Sequence, residues 1–314
     1  MTGSLLPLLL AQVAPPAAQT TVNWPLVAGV TVLIGILTAV YLYTTRGGII
    51  ARATVKETVR QPEFPLLMVF CLVIMLLCTV LPFYTLGEDV KMMKSCGLDT
   101  LVPVALVLAV RAASTSIASE IEGKTAITLL SKPINRQQFI VGKYVGIMVS
   151  VFWLMLPIAV LFLTMIYFKV FYDGKEASRD DITSAMAVAE VVATIPGILL
   201  GFLEVAALTA ISVAISTRLP MVVNVSTILA IYVVGHLTPV LVQSSTEGLE
   251  PVLFVARLIS TLLPSLEIYT IRNSIAMGLV VPEDYLGTTL IYTICYSLVA
   301  LLLAFILFED RDLA

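Results

Sequence analysis

SEIEGKTAITLLSKPINRQQFIVGKYVG, residues Ser119 to Gly146, is the one long stretch of this chain that mixes acids, bases and amides between apolar runs. Its charges belong in water, and nearly everything around it belongs in lipid. Of 314 residues, 59% are hydrophobic and only 12% are charged, with a mean hydropathy of +1.02, whereas an ordinary soluble domain carries about 25% charged residues.

Crossing a hydrocarbon core of about 30 Å takes about 20 apolar residues in a helix. Runs of that kind cover Trp24 to Thr45, Phe64 to Leu86, Leu98 to Ala118, Tyr144 to Phe168, a Pro/Gly-interrupted stretch within Val188 to Ser216, Met221 to Val242, and Tyr285 to Phe308. Lipid offers no partner to backbone N–H and C=O groups, so each run is expected to be a helix; a closed barrel would show shorter alternating strands. The fold class read from the sequence is all-α and polytopic, with about seven spans. The interruption at Pro196-Gly197 reads either as a broken helix or as an outer turn followed by a span.

Lys and Arg in short loops set orientation. Arg46, Arg52, Lys56 and Arg60 lie between the first two runs, and Lys124, Lys132, Arg136 and Lys143 between the third and fourth, so both segments are expected in the cytosol. The loops Gly87 to Asp99 and Lys169 to Thr183 are mixed or acidic and are expected outside. Alternation then places Arg218 and the C-terminus in the cytosol and the N-terminus outside.

Residues 1–23 read as an extracytoplasmic leader or tail: Leu5 to Ala11 is apolar like the core of a signal peptide, but no basic residue precedes it. Cys71, Cys78 and Cys295 fall in runs and Cys96 in an outer loop, with no disulfide framework and no metal-ligand spacing. No basic tract points to nucleic acid.

Between the first two runs, apolar Ile49, Ile50, Ala53, Val55 and Val59 alternate with Arg52, Lys56, Glu57 and Arg60 at helical spacing. That pattern suits an interfacial helix with its bases among anionic headgroups, or else a charged linker. The segment after the third run divides at Ser131-Lys132-Pro133, with an apolar knob of Ile127, Leu129 and Leu130 before it and a helix start at Asn135 after it. A helical elbow of this kind gives a soluble partner something to push.

Here the residues resemble a family. Glu120-x-Glu122-Gly123-x-Thr125, Leu129-Leu130-Ser131-Lys132-Pro133, Arg136 and Lys143 are similar to the signature of type-2 ABC transporter permeases, the exporter-type membrane subunits. The resemblance implies a six-helix core, an elbow helix, and a cytosolic coupling helix that docks into an ATPase subunit. Glu120, Glu122, Lys132 and Arg136 would orient that docking through charge pairs, and Leu129 with Leu130 would fill an apolar pocket. The implied organisation is an extra N-terminal span over 24–45, an elbow over 46–63, and a permease core over 64–314. That core includes a coupling segment over 119–143 and an outer loop with re-entrant helices over 243–284. The extra span departs from the family's usual plan of six spans with both ends inside.

By this resemblance the chain is a permease subunit of an ATP-driven exporter in the cytoplasmic (inner) cell membrane, not itself an enzyme. It would bind no cofactor; ATP and Mg would sit on partner ABC ATPase subunits, and a second permease subunit, identical or similar, would complete the membrane part. Gly123-Lys124-Thr125 is not a phosphate-binding loop, since Ala118 stands where that motif's first Gly is needed. Ionisable residues inside runs are candidates for a translocation path, because hydrocarbon penalises them: Arg111, Glu204 and His236. Arg111 reads alternatively as a snorkelling side chain, His236 as a hydrogen-bonded core histidine, and Glu190 as a solvated residue near the outer interface. The alternative function is an ion-coupled secondary carrier acting without an ATPase, for which Glu204 and His236 are the sole support. A membrane enzyme lacks its motifs here, such as H-E-x-x-H or paired intramembrane aspartates.

Overall fold

The computed structural model describes residues 24–80, 89–118, 135–176, 183–244, 264–270 and 281–309. Every one of the seven apolar runs has a helix on it, and no strand occurs among the described residues. In chain order the helices are α1 (Trp24–Thr44), α2 (Arg46–Arg60), α3 (Glu63–Val80), α4 (Asp89–Ala113, continued by a π turn over Ser114–Ala118), α5 (Arg136–Glu176), α6 (Ser184–Ser216), α7 (Met221–Ser244) and α8 (Glu283–Glu309), with a 3₁₀ turn over Leu266–Tyr269 before α8. The protein is an all-α, polytopic membrane protein. Helices α1, α4, α5, α6 and α8 are each long and apolar enough to cross a bilayer, α2 and α3 qualify together as a pair bent by 61°, and α7 is apolar over Met221–Leu237, the part of it whose side chains are described.

Ion pairs sort the helix ends into two sets. Lys94 in α4 pairs with Glu190 in α6, and Lys169 in α5 bonds Asp89 of α4 at 2.9 Å and Asp173 at 3.1 Å; these mark one end. At the other end Arg111 pairs with Glu63 and Lys143 with Glu57 at 4.0 Å. Residues 119–134 join α4 to α5 at this second end, here termed the junction end. Successive helices therefore run in alternating directions, as the loop charges imply.

In lipid, apolar area does not drive helices together, so close approach between backbones has to. A Cβ on Gly142 would lie 2.6 Å from the Gly47 carbonyl, and one on Gly146 2.7 Å from the Ala51 carbonyl. The Gly142-x-x-x-Gly146 pair thus seats α5 on the small face of α2, made of Gly47, Gly48, Ala51, Thr54 and Thr58. Gly201 meets Val102 in the same way at 2.7 Å, and the space beside Gly97 is filled by the buried ring of Phe162. Thr45 accepts from the Gly48 N–H at 3.0 Å, capping α2 where α1 ends. No residue of α1 is buried, so that helix stands apart from the bundle that α4, α5 and α6 centre.

Four expectations change. The outer loop Gly87 to Asp99 is helical from Asp89 onward, because Lys94 is neutralised by Glu190 inside the bundle and need not leave the helix for water. For the same reason Glu190 is an ion-pair partner and not merely a solvated residue. The loop assigned to Lys169 onward begins later, since α5 runs on to Glu176 with Lys169 and Asp173 bonded one turn apart. Pro196-Gly197 does not break α6, which is continuous over 33 residues; a proline costs one backbone bond, which a packed membrane helix tolerates.

Candidate functional site

Of the residues expected to couple to an ATPase, Glu120, Glu122, Gly123, Thr125, Leu129, Leu130, Lys132 and Pro133 lie outside the described residues. What is described is the machinery their segment feeds into. Arg136 is the first residue of α5, a helix of 41 residues and so about 60 Å long. Arg136 thus stands at the head of one continuous helix.

That helix is tied at its first turns to two other helices. The last carbonyls of a helix have no partner within it and draw cationic donors. At the end of α8, Arg136 Nη1 donates to the Phe308 carbonyl at 3.4 Å, and Arg218, from the turn between α6 and α7, donates to the Leu307 carbonyl at 2.6 Å. Phe139 stacks on Phe308 with centroids 5.9 Å apart, and both rings are buried. Lys143, one turn further on, is buried beside Glu57 of α2. Arg136 and Lys143, singled out in the sequence, thus clamp α5 to α8 and to α2. Their partners Glu57, Phe139 and Phe308, and the parallel donor Arg218, carry no functional signal in the sequence beyond the acidic spot that Glu57 makes in a basic segment.

Arg111 does more than snorkel. Its Nε donates to Glu63 Oε2 at 2.9 Å and a second guanidinium nitrogen reaches Oε1, a two-point grip joining α4 to the first turn of α3. Its Nη1 lies 3.2 Å from the Met221 sulfur at the start of α7. Beside it, Asn224 is buried among hydroxyls, with Nδ2 2.8 Å from Ser114 and Ser216 Oγ. Ser212 Oγ is within 3.3 Å of its Oδ1. An amide has two donor hydrogens and an acceptor oxygen, so Ser114 and Ser216 accept and Ser212 donates. This knot holds the π turn, α6 and α7 together.

Deeper in the bundle Glu204 and His236 come together, their side chains 3.5 Å apart, with the Glu204 side chain 1% exposed. His236 Nδ1 lies 2.9 Å from the Tyr232 carbonyl; a carbonyl only accepts, so Nδ1 carries a hydrogen. Nε2 then faces the Glu204 carboxyl and the Thr270 hydroxyl, the latter at 3.4 Å. Gly235 makes the approach available: a Cβ there would lie 2.6 Å from Leu266 Cδ1, so the turn carrying Leu266 and Tyr269 beds against α7. Of the loop over 243–284, residues 243–244, 264–270 and 281–284 are described; the pieces Pro251 to Leu263 and most of Ile268 to Val281 lie outside the described residues. Around the pair, Tyr269 bonds Thr293 at 2.8 Å and Tyr144 donates to the Ala206 carbonyl at 3.2 Å, forming a polar seam between α5, α6, α7 and α8. Arg111 is not part of it. Among the described residues no group of His, Cys, Asp and Glu is placed to hold a metal ion.

A family model described as ABC-2 family transporter protein matches residues 49–313, which leaves α1 outside the matched region. No curated protein matches the chain.

Proposed function

We propose, since this chain belongs to the ABC-2 family of transporter proteins, that it couples ATP hydrolysis by a separate ABC ATPase to export through its helix bundle. Membership makes it the membrane permease component of such a transporter, with an ABC ATPase as partner. The finer reading concerns how force enters. The observation that carries it is the placement of Arg136: a residue of the coupling segment, it opens the longest helix among the described residues and bonds the last turn of α8. A push on residues 119–134 would move α5 and α8 as a unit, with α2 following through Gly142 and Gly146.

The junction end is then cytosolic, because Arg46, Arg52, Lys56, Arg60, Arg111, Arg136, Lys143 and Arg218 gather there. A second permease subunit, identical or similar, would complete the path. The path itself is assigned to the seam at Glu204 and His236, where two ionisable side chains face each other between α6 and α7; Arg111 serves as a structural clamp. Co-expression with the adjacent-gene ABC ATPase tests the coupling. The ATPase is expected to copurify with the wild-type permease and to be lost from a Leu129→Asp, Leu130→Asp variant, since apolar anchors carry most of an interface's binding energy. Retention of the ATPase by that variant would remove the coupling role from this segment.

The path assignment has its own test. In an otherwise cysteine-free protein, a cysteine at position 236 is expected to change its reactivity toward a membrane-impermeant thiol reagent between nucleotide-free and ATP-trapped complexes. Equal reactivity in both states would leave Glu204 and His236 as an internal polar contact.

A further inference from the structure

The bend between α2 and α3 carries a groove of about 370 Å³ lined by Val55, Lys56, Val59, Arg60, Phe64 and Trp153. It has an apolar lining formed by three helices, with two cations on one wall. Neither cation has an ion-pair partner among the described residues, and the nearby acids are engaged elsewhere, Glu57 with Lys143 and Glu63 with Arg111. Arg52, Lys56 and Arg60 stand at i, i+4 and i+8 on α2, but Arg52 is drawn off over the Tyr43 ring at 5.1 Å. Lys56 and Arg60 are left exposed at the groove.

The groove also lies at the right depth. The Lys169, Asp89 and Asp173 cluster is charged and is taken as one boundary of the hydrocarbon. A core of about 30 Å consumes about 20 helical residues, which sets the other boundary near Val149 on α5. Trp153 lies one turn inside that level, and a helical side chain leans back toward its helix N-terminus, which here is the junction end. Trp at the headgroup level and bases just outside it are the usual pairing at a membrane surface.

We infer that this groove is a binding site for one anionic glycerophospholipid, its phosphate on Lys56 and Arg60 and the start of an acyl chain along Val59, Phe64 and Trp153. The inference stands apart from the transport reading, since it uses only the groove and its depth. A lipid there fills the angle of the bent pair and adds to the direct contact that α2 makes with α5 at Gly142 and Gly146.

Native mass spectrometry of the whole chain, released from micelles containing equal phosphatidylglycerol and phosphatidylcholine, tests it. Wild type is expected to retain phosphatidylglycerol preferentially. Lys56→Gln and Arg60→Gln should each lower that retention about fivefold, the effect of about one surface cation on an anionic lipid. Arg46→Gln, at the far end of the same helix, should leave it unchanged. Both groove cations are exposed, so their variants should melt like wild type. No preference in the wild type, or an equal loss from Arg46→Gln, would overturn the site and leave general attraction to the bilayer. Displacement of the lipid by inorganic phosphate at matched concentration would also overturn it, leaving an anion site without a lipid.

Discussion

Replacing Glu190 with leucine is expected to destabilise the protein far more than replacing Lys94 with methionine, although each removes half of the same ion pair. The Lys94 side chain is 1% exposed and that of Glu190 is 42% exposed. Glu190→Leu would leave an ammonium group buried without its counter-charge, a loss of about 3–5 kcal/mol. Lys94→Met would leave a carboxylate that already reaches solvent and fill the lysine's place with an apolar chain, at a cost within about 1 kcal/mol. The double variant should recover most of the loss, because replacing a buried pair by packed apolar groups is often neutral. Thermal unfolding of the four proteins in one detergent measures this. Equal losses from the two single variants would mean that the lysine charge is not confined by burial.

That pair also shows what the sequence makes legible and what it hides. The seven apolar runs are plain because lipid forces each one to satisfy its own backbone, so composition alone betrays the helices. Alternating charge in the loops shows their directions for a similar reason. Lys94 and Glu190, by contrast, look like loop or surface residues when each is read beside its neighbours. Only packing across 96 positions of chain turns them into the lock between α4 and α6. Arg111 and Glu63, 48 positions apart, follow the same logic, and an arginine near a helix end reads as a snorkelling group until its partner is found. Asn224 gave no signal at all, being one amide in an apolar run. The meeting of Glu204 with His236 was half legible: each was conspicuous as an ionisable group in hydrocarbon, but their proximity depends on how α6 and α7 face each other. Pro196 misled for a different reason, since proline breaks soluble helices more readily than packed membrane ones.

The strongest structural consequence is expected from Gly146→Leu. A Cβ at this position would lie 2.7 Å from the Ala51 carbonyl oxygen and 2.8 Å from Thr54 Cβ, atoms fixed to the backbone of α2 that no rotamer change can move away. Gly146→Ala sets two effects against each other: about 1 kcal/mol gained by replacing glycine within a helix and a crowding cost of similar size. Leucine adds three more carbon atoms in the same direction, at a cost of about 3 kcal/mol or more, and α2 must then separate from α5. Ala51 is fully buried in the native packing, so an Ala51→Cys reporter in an otherwise cysteine-free protein should be protected from a maleimide with Gly146 in place and labelled with leucine there. Protection retained in the leucine variant would show that α2 does not depend on this contact. Gly146 is not among the residues expected to dock the ATPase, so ATPase copurification should survive. Loss of the nucleotide-dependent change in reactivity at position 236, with ATPase binding intact, would place α2 within the moving unit and separate force reception at the coupling segment from force transmission through the α2–α5 contact.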